Sequence, residues 1–228
     1  MFFMDSLLNI IKNSFIGRRW VTVIEKLFFR IFNYRGTISQ SKNMEWINNN
    51  LTDYGQFLMK LDPDLHNTSN KEYQNFLIKS QNLLKSTTPN LGGGGIFSLL
   101  YFLIIKKKPI DILETGVAAG VSTQAILSAL EVNGSGHLYS SDLPIFRISD
   151  PENYIGLFVD DELKHRWSLF TEGDKNNFKI IFKKIKKVDF LHYDSDKRYF
   201  GRRFTMNYLK KYLNDDSIII MDDIQDNF

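Results

Sequence analysis

Two short clusters of acids, each closing an apolar run, hold the residues whose types and spacing can do chemistry. Val188-Asp189-Phe190-Leu191-His192-Tyr193 leads into Asp194-Ser195-Asp196-Lys197, and Ser217-Ile218-Ile219-Ile220-Met221 leads into Asp222-Asp223. Apolar runs of this length bounded by turn residues read as buried strands. If the two strands lie parallel and adjacent, both tips reach one sheet edge. Asp194, Asp196, Asp222 and Asp223 then crowd together, and four carboxylates repel unless protons or a cation neutralise them. A divalent metal is the economical answer. Oxygen-only ligation in a chain without cysteine suits a hard ion, Mg2+ first, with Mn2+ or Ca2+ as alternatives. The plain alternative is acids that merely end strands, since Asp is favoured in turns.

A second constellation lies at Ile112-Leu113-Glu114-Thr115-Gly116-Val117-Ala118-Ala119-Gly120-Val121-Ser122-Thr123. An apolar run ends in an acid, a glycine turn follows, and an apolar segment at helical spacing begins at once: a strand, a turn and a helix. Gly116 can take backbone angles closed to other residues, and Gly120 removes a side chain where a ligand would approach the helix start. The free N–H groups of that helix favour a carboxylate or phosphate, and Glu114 offers an acceptor to a ligand's donors. The spacing Glu-x-Gly-x-x-x-Gly is not Gly-x-Gly-x-x-Gly, and no Gly-Lys-Ser/Thr follows. Dinucleotide and nucleoside-triphosphate loops therefore lose ground.

These clusters need a frame, and the intervening chain supplies it. After the helix, Asn133-Gly134-Ser135-Gly136 makes a turn and His137-Leu138-Tyr139-Ser140-Ser141 a second strand ending at Asp142, a carboxylate able to take both ribose hydroxyls of an adenosine. A helix is expected over Asp150 to Arg166, with Pro151 in its first turn. A third strand begins at Trp167 and leaves through Gly173-Asp174. A helix from Tyr199 to about Leu213 joins the two acid-tipped strands. Upstream, the apolar segment Ile96 to Ile105 reads as a buried helix, preceded by Gly92 to Gly95, which read as a hinge or a tight packing point.

The acid-glycine loop resembles that of class I S-adenosylmethionine-dependent methyltransferases, and Asp194 with Asp222 and Asp223 resembles the metal site of the catechol O-methyltransferase-like members. Asp194-Ser195-Asp196 is similar to the Asp-Gly-Asp of macrocin O-methyltransferase-like relatives. The resemblance covers about residues 92 to 228. It implies an α/β fold, a Rossmann-like doubly wound and mostly parallel sheet with helices on both faces. It also implies an S-adenosylmethionine site at Glu114, Gly116, Ala118, Gly120, Ser122 and Asp142, with Gly173 and Asp174 beside the adenine. A metal held by Asp194, Asp222 and Asp223, with Asp196 nearby, would lower the pKa of an acceptor hydroxyl, and Lys197 stands where the catechol-type relatives place a proton-accepting lysine. His192 is the rival base. The resembling fold continues through a helix and a closing hairpin where this chain ends, which reads as a fragment or a reduced variant.

Composition agrees with a globular chain long enough for a full core: 228 residues, 43% hydrophobic and 24% charged. The net charge of +3 is small beside 29 basic and 26 acidic residues and does not point to nucleic acid. The partner expected is a small-molecule acceptor, the compartment the cytoplasm. Residues 1 to 35 form one or two amphipathic helices carrying six basic residues against Asp5 and Glu25, so docking on the core or on a second copy competes with contact at an anionic membrane surface. Charges interrupt the segment too often for a membrane span. The division expected is a helical extension or cap over residues 1–91 and a methyltransferase domain over 92–228.

Overall fold

The structure, a computed structural model, describes residues 2–32, 40–86 and 96–224. Five parallel strands, β1 (Asp111–Thr115), β2 (His137–Ser141), β3 (Trp167–Phe170), β4 (Phe190–Tyr193) and β5 (Ile218–Met221), form one sheet in the order β3-β2-β1-β4-β5. The helices are α1 (Phe2–Ser14), α2 (Arg19–Phe32), α3 (Gln40–Asn50), α4 (Tyr54–Leu61), α5 (Pro63–Ser86), α6 (Phe97–Lys107), α7 (Val121–Asn133), α8 (Asp174–Lys184) and α9 (Tyr199–Leu209).

Successive strand residues point to opposite faces, and both faces are apolar, as a doubly covered parallel sheet requires. Ile112, Leu138 and Phe190 enter one core with Ile104 of α6 and Ile126 of α7. Leu113, Leu191 and Tyr193 enter the other with Phe178 of α8 and Leu209 of α9. From β1 the chain winds outward to β2 and β3, then returns to the other side of β1 for β4 and β5. The crevice between the exits of β1 and β4 is therefore the switch point where open α/β sheets take their ligands.

Two elements differ from the sequence reading. The helix expected over Asp150 to Arg166 is two 3-10 turns, Pro151–Tyr154 and Asp161–Arg166. Between them Gly156 sits at φ +70°, and a Cβ there would lie 2.4 Å from the Trp167 ring, so the backbone is pressed onto that ring instead of continuing a helix. Residues 36 to 92, whose polar composition with scattered apolar residues suggests short helices joined by loops, include the 24-residue α5, which has no internal glycine or proline to stop it. Gly92 to Gly95 and the expected boundary at 91/92 lie outside the described residues.

Helices α1 and α2 dock with an unexpected face. Asn13 Nδ2 donates to the carbonyls of Phe146 (3.1 Å) and Ile148 (2.9 Å), Arg19 Nε to Thr171 O (3.0 Å), and Thr22 Oγ1 to Glu172 O (3.2 Å). The irregular segments after β2 and β3 leave carbonyls without ladder partners, and these side chains satisfy them. Arg19 also pairs with Glu152 at 2.5 Å, and Lys175 Nζ with Glu25 at 2.7 Å. No described helix is long and apolar enough to cross a membrane.

Candidate active site

The loop after β1 is built by contacts that only glycine permits. Gly116 has φ +82°, and a Cβ on it would lie 2.5 Å from the carbonyl oxygen of Asp194, where the exits of β1 and β4 pass each other. Gly120 has φ +89°, and a Cβ there would meet Gly156 Cα at 2.7 Å and Val159 Cγ2 at 2.9 Å. The sequence reading left that space to a ligand; in the structure the 156–159 segment takes it up. The same segment is tied to the loop by Gly156 N–H to Ala118 O and Phe158 N–H to Ala119 O, each 2.9 Å. Ala118 is left exposed at φ +47°, a left-handed conformation unusual for a residue with a Cβ.

Glu114 also departs from expectation. It has no exposed surface, and its carboxylate accepts from Ser122 Oγ (2.7 Å), Thr123 Oγ1 (2.8 Å) and Ser140 Oγ (2.7 Å). A ligand's donors cannot reach it without displacing those hydroxyls. Glu114 therefore welds the start of α7 to β1 and β2, and Ser122 is spent as one of its donors. The acid that pinned the motif in sequence is a structural clasp beneath the loop.

Asp142 stands at the exit of β2. Its Oδ2 accepts from the N–H groups of Val117 (3.2 Å) and Ala118 (3.0 Å), and its Oδ1 from Leu143 N–H (2.7 Å). Burial pushes its pKa up to about 6, against the pull of those three N–H groups and with the help of nearby Asp174. Asp174 is fixed at the start of α8 by Ser141 Oγ (2.6 Å) and Ser195 Oγ (2.7 Å). Gly116, Ala118, Asp142, Gly173 and Asp174 line one cavity of about 590 Å3, to which Thr22 and Glu25 of α2 add an edge. A carboxylate with acceptor capacity left over, beside exposed loop backbone, fits the hydroxyl donors of an adenosine.

A second cavity, of about 690 Å3, opens on the other side of the same loop. Ala118 and Asp194 line both, so the two meet over the exits of β1 and β4. The second cavity holds His192, Lys197, Asp222 and Asp223, and the helical N-terminal region contributes Tyr54, Asn70 and Tyr73 to its wall. A further cavity of about 680 Å3, between α5 and the 152–164 segment, touches none of the expected site residues.

The four acids do not form the cage expected of them. Lys197 Nζ lies between Asp194 Oδ1 and Asp223 Oδ2, the latter at 2.6 Å. Asp196 is turned away and held by Arg198 through Nε (2.8 Å) and Nη2 (2.7 Å), a bidentate pair. Asp222 Oδ1 accepts from Asp223 N–H at 2.9 Å. No three acids or histidines converge as metal ligands among the described residues. The residues do not fit a divalent ion in this arrangement: the cation between the two strand tips is the chain's own ammonium. The tips themselves are fixed by Tyr193 Oη donating to Asp196 O (2.6 Å) and Arg202 Nη2 to Asp223 O (2.7 Å).

His192 is buried on β4 directly opposite Glu114 on β1. Its Nδ1 lies 3.5 Å from Glu114 Oε1, too far for a hydrogen bond, and neither ring nitrogen has a hydrogen-bond partner among the described residues. Ser195, Arg198, Tyr54 and Tyr73 escaped sequence reasoning. Arg198 carried a usable signal, two residues beyond Asp196 at a helix start. The tyrosines carried none, because only the packing of α4 and α5 against the domain brings them to the cavity.

Residues 113–224 match the family described as a methyltransferase domain. No curated protein matches the sequence. Among solved structures, a Podospora anserina methyltransferase with bound S-adenosylhomocysteine is 19% identical, with a TM-score of 0.48 over 64% of this chain. This chain spans 61% of that protein's length. A Bacillus cereus O-methyltransferase in complex with S-adenosylhomocysteine is 16% identical, covering 78% of this chain and 70% of its own, with a TM-score of 0.46. The Streptomyces achromogenes O-methyltransferase TomG, involved in tomaymycin synthesis and solved with S-adenosylmethionine, is 15% identical over 81% of this chain and 74% of its own, with a TM-score of 0.44. The match to the methyltransferase domain runs from Leu113 in β1 through β5 of the doubly wound parallel sheet and takes in both acid-tipped strands and the glycine loop.

Proposed function

We propose that this chain is an S-adenosylmethionine-dependent methyltransferase that acts on a hydroxyl oxygen of a small-molecule acceptor, and that the Lys197 ammonium serves where a divalent cation was expected. The observation that carries the reading is Lys197 Nζ set between Asp194 and Asp223 in the cavity that meets the Asp142 cavity over Ala118. In this reading Asp142 would accept from the ribose hydroxyls of the cofactor, Gly173 and Asp174 would stand beside its adenine, and Gly116 and Ala118 would line the rest of the same cavity up to Asp194. The cofactor supplies, when bound, a sulfonium methyl whose S–C bond breaks as the acceptor oxygen forms the new O–C bond.

The chain's own residues hold and deprotonate the acceptor. An ammonium has three donors and no lone pair. Lys197 therefore donates to the acceptor oxygen and stabilises its developing negative charge, and the departing proton goes to a carboxylate of Asp194 or Asp223. Alignment in the cavity contributes most, since well-oriented reactants gain about 7–11 kcal/mol over free ones. Asp222 positions Asp223 through its backbone N–H. A cytoplasmic place of action belongs to the same reading.

Incubating the full chain with methyl-labelled S-adenosylmethionine and fractionated metabolites, followed by mass spectrometry of the products, tests the reading. The label is expected on oxygen, with turnover maintained in excess chelator. Label on nitrogen or carbon would overturn the hydroxyl assignment, and turnover that vanishes in chelator and returns with Mg2+ would overturn the role given to Lys197.

A further inference from the structure

Helices α1 and α2 are inside out. An ordinary surface helix buries its apolar stripe and shows its polar face to water. Here Asn13, Ser14 and Arg19 are buried against the domain, while Leu8 and Ile11 on α1, Phe15 just past its end, and Trp20 and Ile24 on α2 are 42–74% exposed together with Ile16 between the helices. Leu8, Ile11 and Phe15 are spaced three and four apart, and Trp20 and Ile24 four apart, so each set forms one stripe along its helix. The polar docking face is fixed by the carbonyls of residues 146, 148, 171 and 172, which turns the apolar stripes away from the described surface of the domain.

The rim of this patch is predominantly basic, with Asp5 an exposed acid at the start of α1. Lys12 and Arg18 are exposed beside the stripes, and Arg147 is exposed in the loop whose carbonyl accepts from Asn9. A second copy related by a two-fold axis would set this rim against itself and oppose like charges. An anionic bilayer supplies both what the stripes lack and the countercharge the rim lacks. We infer that the α1–α2 hairpin is a peripheral membrane-docking element, which lies in the headgroup region of an anionic lipid surface with its apolar stripes inserted and Lys12, Arg18 and Arg147 on the phosphates. Neither helix is long enough to span, so the contact is interfacial and reversible. Thr22 and Glu25, from the same hairpin, edge the Asp142 cavity, so docking would hold the cofactor cleft close to the lipid headgroups.

The test is co-sedimentation of the full chain with vesicles of phosphatidylcholine alone and with about 30% phosphatidylserine, at about 0.15 M salt. Binding to the anionic vesicles only is expected, with a blue shift of Trp20 emission that Trp20→Phe abolishes. Phe15→Glu with Ile24→Glu should remove binding, and Lys12→Glu with Arg18→Glu should weaken it about tenfold or more. S-adenosylmethionine affinity measured by calorimetry, unchanged in these variants, shows that the domain remains folded. A chain that stays in the supernatant with both vesicles overturns the inference. So does equal binding to neutral vesicles. A dimer in sedimentation equilibrium that Phe15→Glu dissolves would assign the patch to a second copy instead.

Discussion

Glu114 and His192 face each other across the β1–β4 ladder, with Glu114 Oε1 3.5 Å from His192 Nδ1 and three hydroxyls donating to the same carboxylate. The pair lies beneath the loop, and the two residues differ sharply in what they hold. Glu114 accepts from Ser122 Oγ and Thr123 Oγ1 at the start of α7, whereas His192 holds no hydrogen bond among the described residues.

Glu114→Ala should therefore cost about 3 kcal/mol or more of stability, because it strands buried hydroxyls at the start of α7. A denaturant titration by circular dichroism reads this directly. A loss below about 1 kcal/mol would mean that the clasp is not structural.

His192→Phe, by the same reasoning, abandons no hydrogen bond. It should keep the transfer rate within about tenfold, since loss of a working general base costs about 10²- to 10⁴-fold. A drop of the larger size in single-turnover measurements would make His192 the base.

Gly120→Ala should act on folding before binding. Its φ of +89° strains any residue with a Cβ, and the added carbon would lie 2.7 Å from Gly156 Cα, which is backbone and cannot swing aside. A loss of about 1–3 kcal/mol in denaturant, with cofactor affinity normal in the fraction that folds, is the expected outcome. A fully stable variant that fails to bind would restore Gly120 to the ligand surface.

The sheet and its strand tips were legible because apolar runs closed by acids and glycines carry local information: Asp194, Asp222 and Asp142 all lie at the strand ends expected of them. What a side chain does at a tip is decided by neighbours distant in sequence. Nothing local to Glu114 announces that Ser140, 26 residues on, will claim its carboxylate. Nothing local to Gly120 announces Gly156. The segment 150–166 had the composition of a helix, yet packing on Trp167 broke it. The hairpin α1–α2 showed its amphipathicity plainly in sequence, but periodicity cannot say which face turns inward when the receiving surface offers bare carbonyls.

Asp142 gives a pH prediction with a definite sign. Its folded-state pKa is raised to about 6 from the ordinary 3.8, so between those values the folded state keeps a proton that the unfolded chain has lost. Asp142 therefore makes the ligand-free protein less stable as pH rises from about 4 to about 6, with no further change above. Ribose hydroxyls donate to the charged form, so S-adenosylmethionine affinity should increase over the upper part of the same window. Calorimetric titrations from pH 5 to about 7 should show this rise, and Asp142→Asn should bind weakly at every pH. Affinity that is flat across the window would remove Asp142 from the cofactor site.

Lys197→Ala tests the centre of the mechanism, because it removes the cation and leaves the acids. Asp194 and Asp223 then face each other from adjacent strand tips with Asp222 beside them, and uncompensated carboxylates at that separation repel. Two results follow. The transfer rate should fall by about 10²-fold or more while S-adenosylmethionine affinity changes little, since Lys197 lines the acceptor cavity and not the Asp142 cavity. The variant should also acquire affinity for Mg2+ or Mn2+ that the parent chain lacks, because a hard cation is the simplest replacement for the lost ammonium among oxygen ligands. Calorimetry with the metal alone reads the second result without any acceptor in hand. If the parent chain binds Mg2+ as tightly as Lys197→Ala does, the ammonium is not holding the cation position, and Asp194 and Asp223 must release Lys197 to reach the metal.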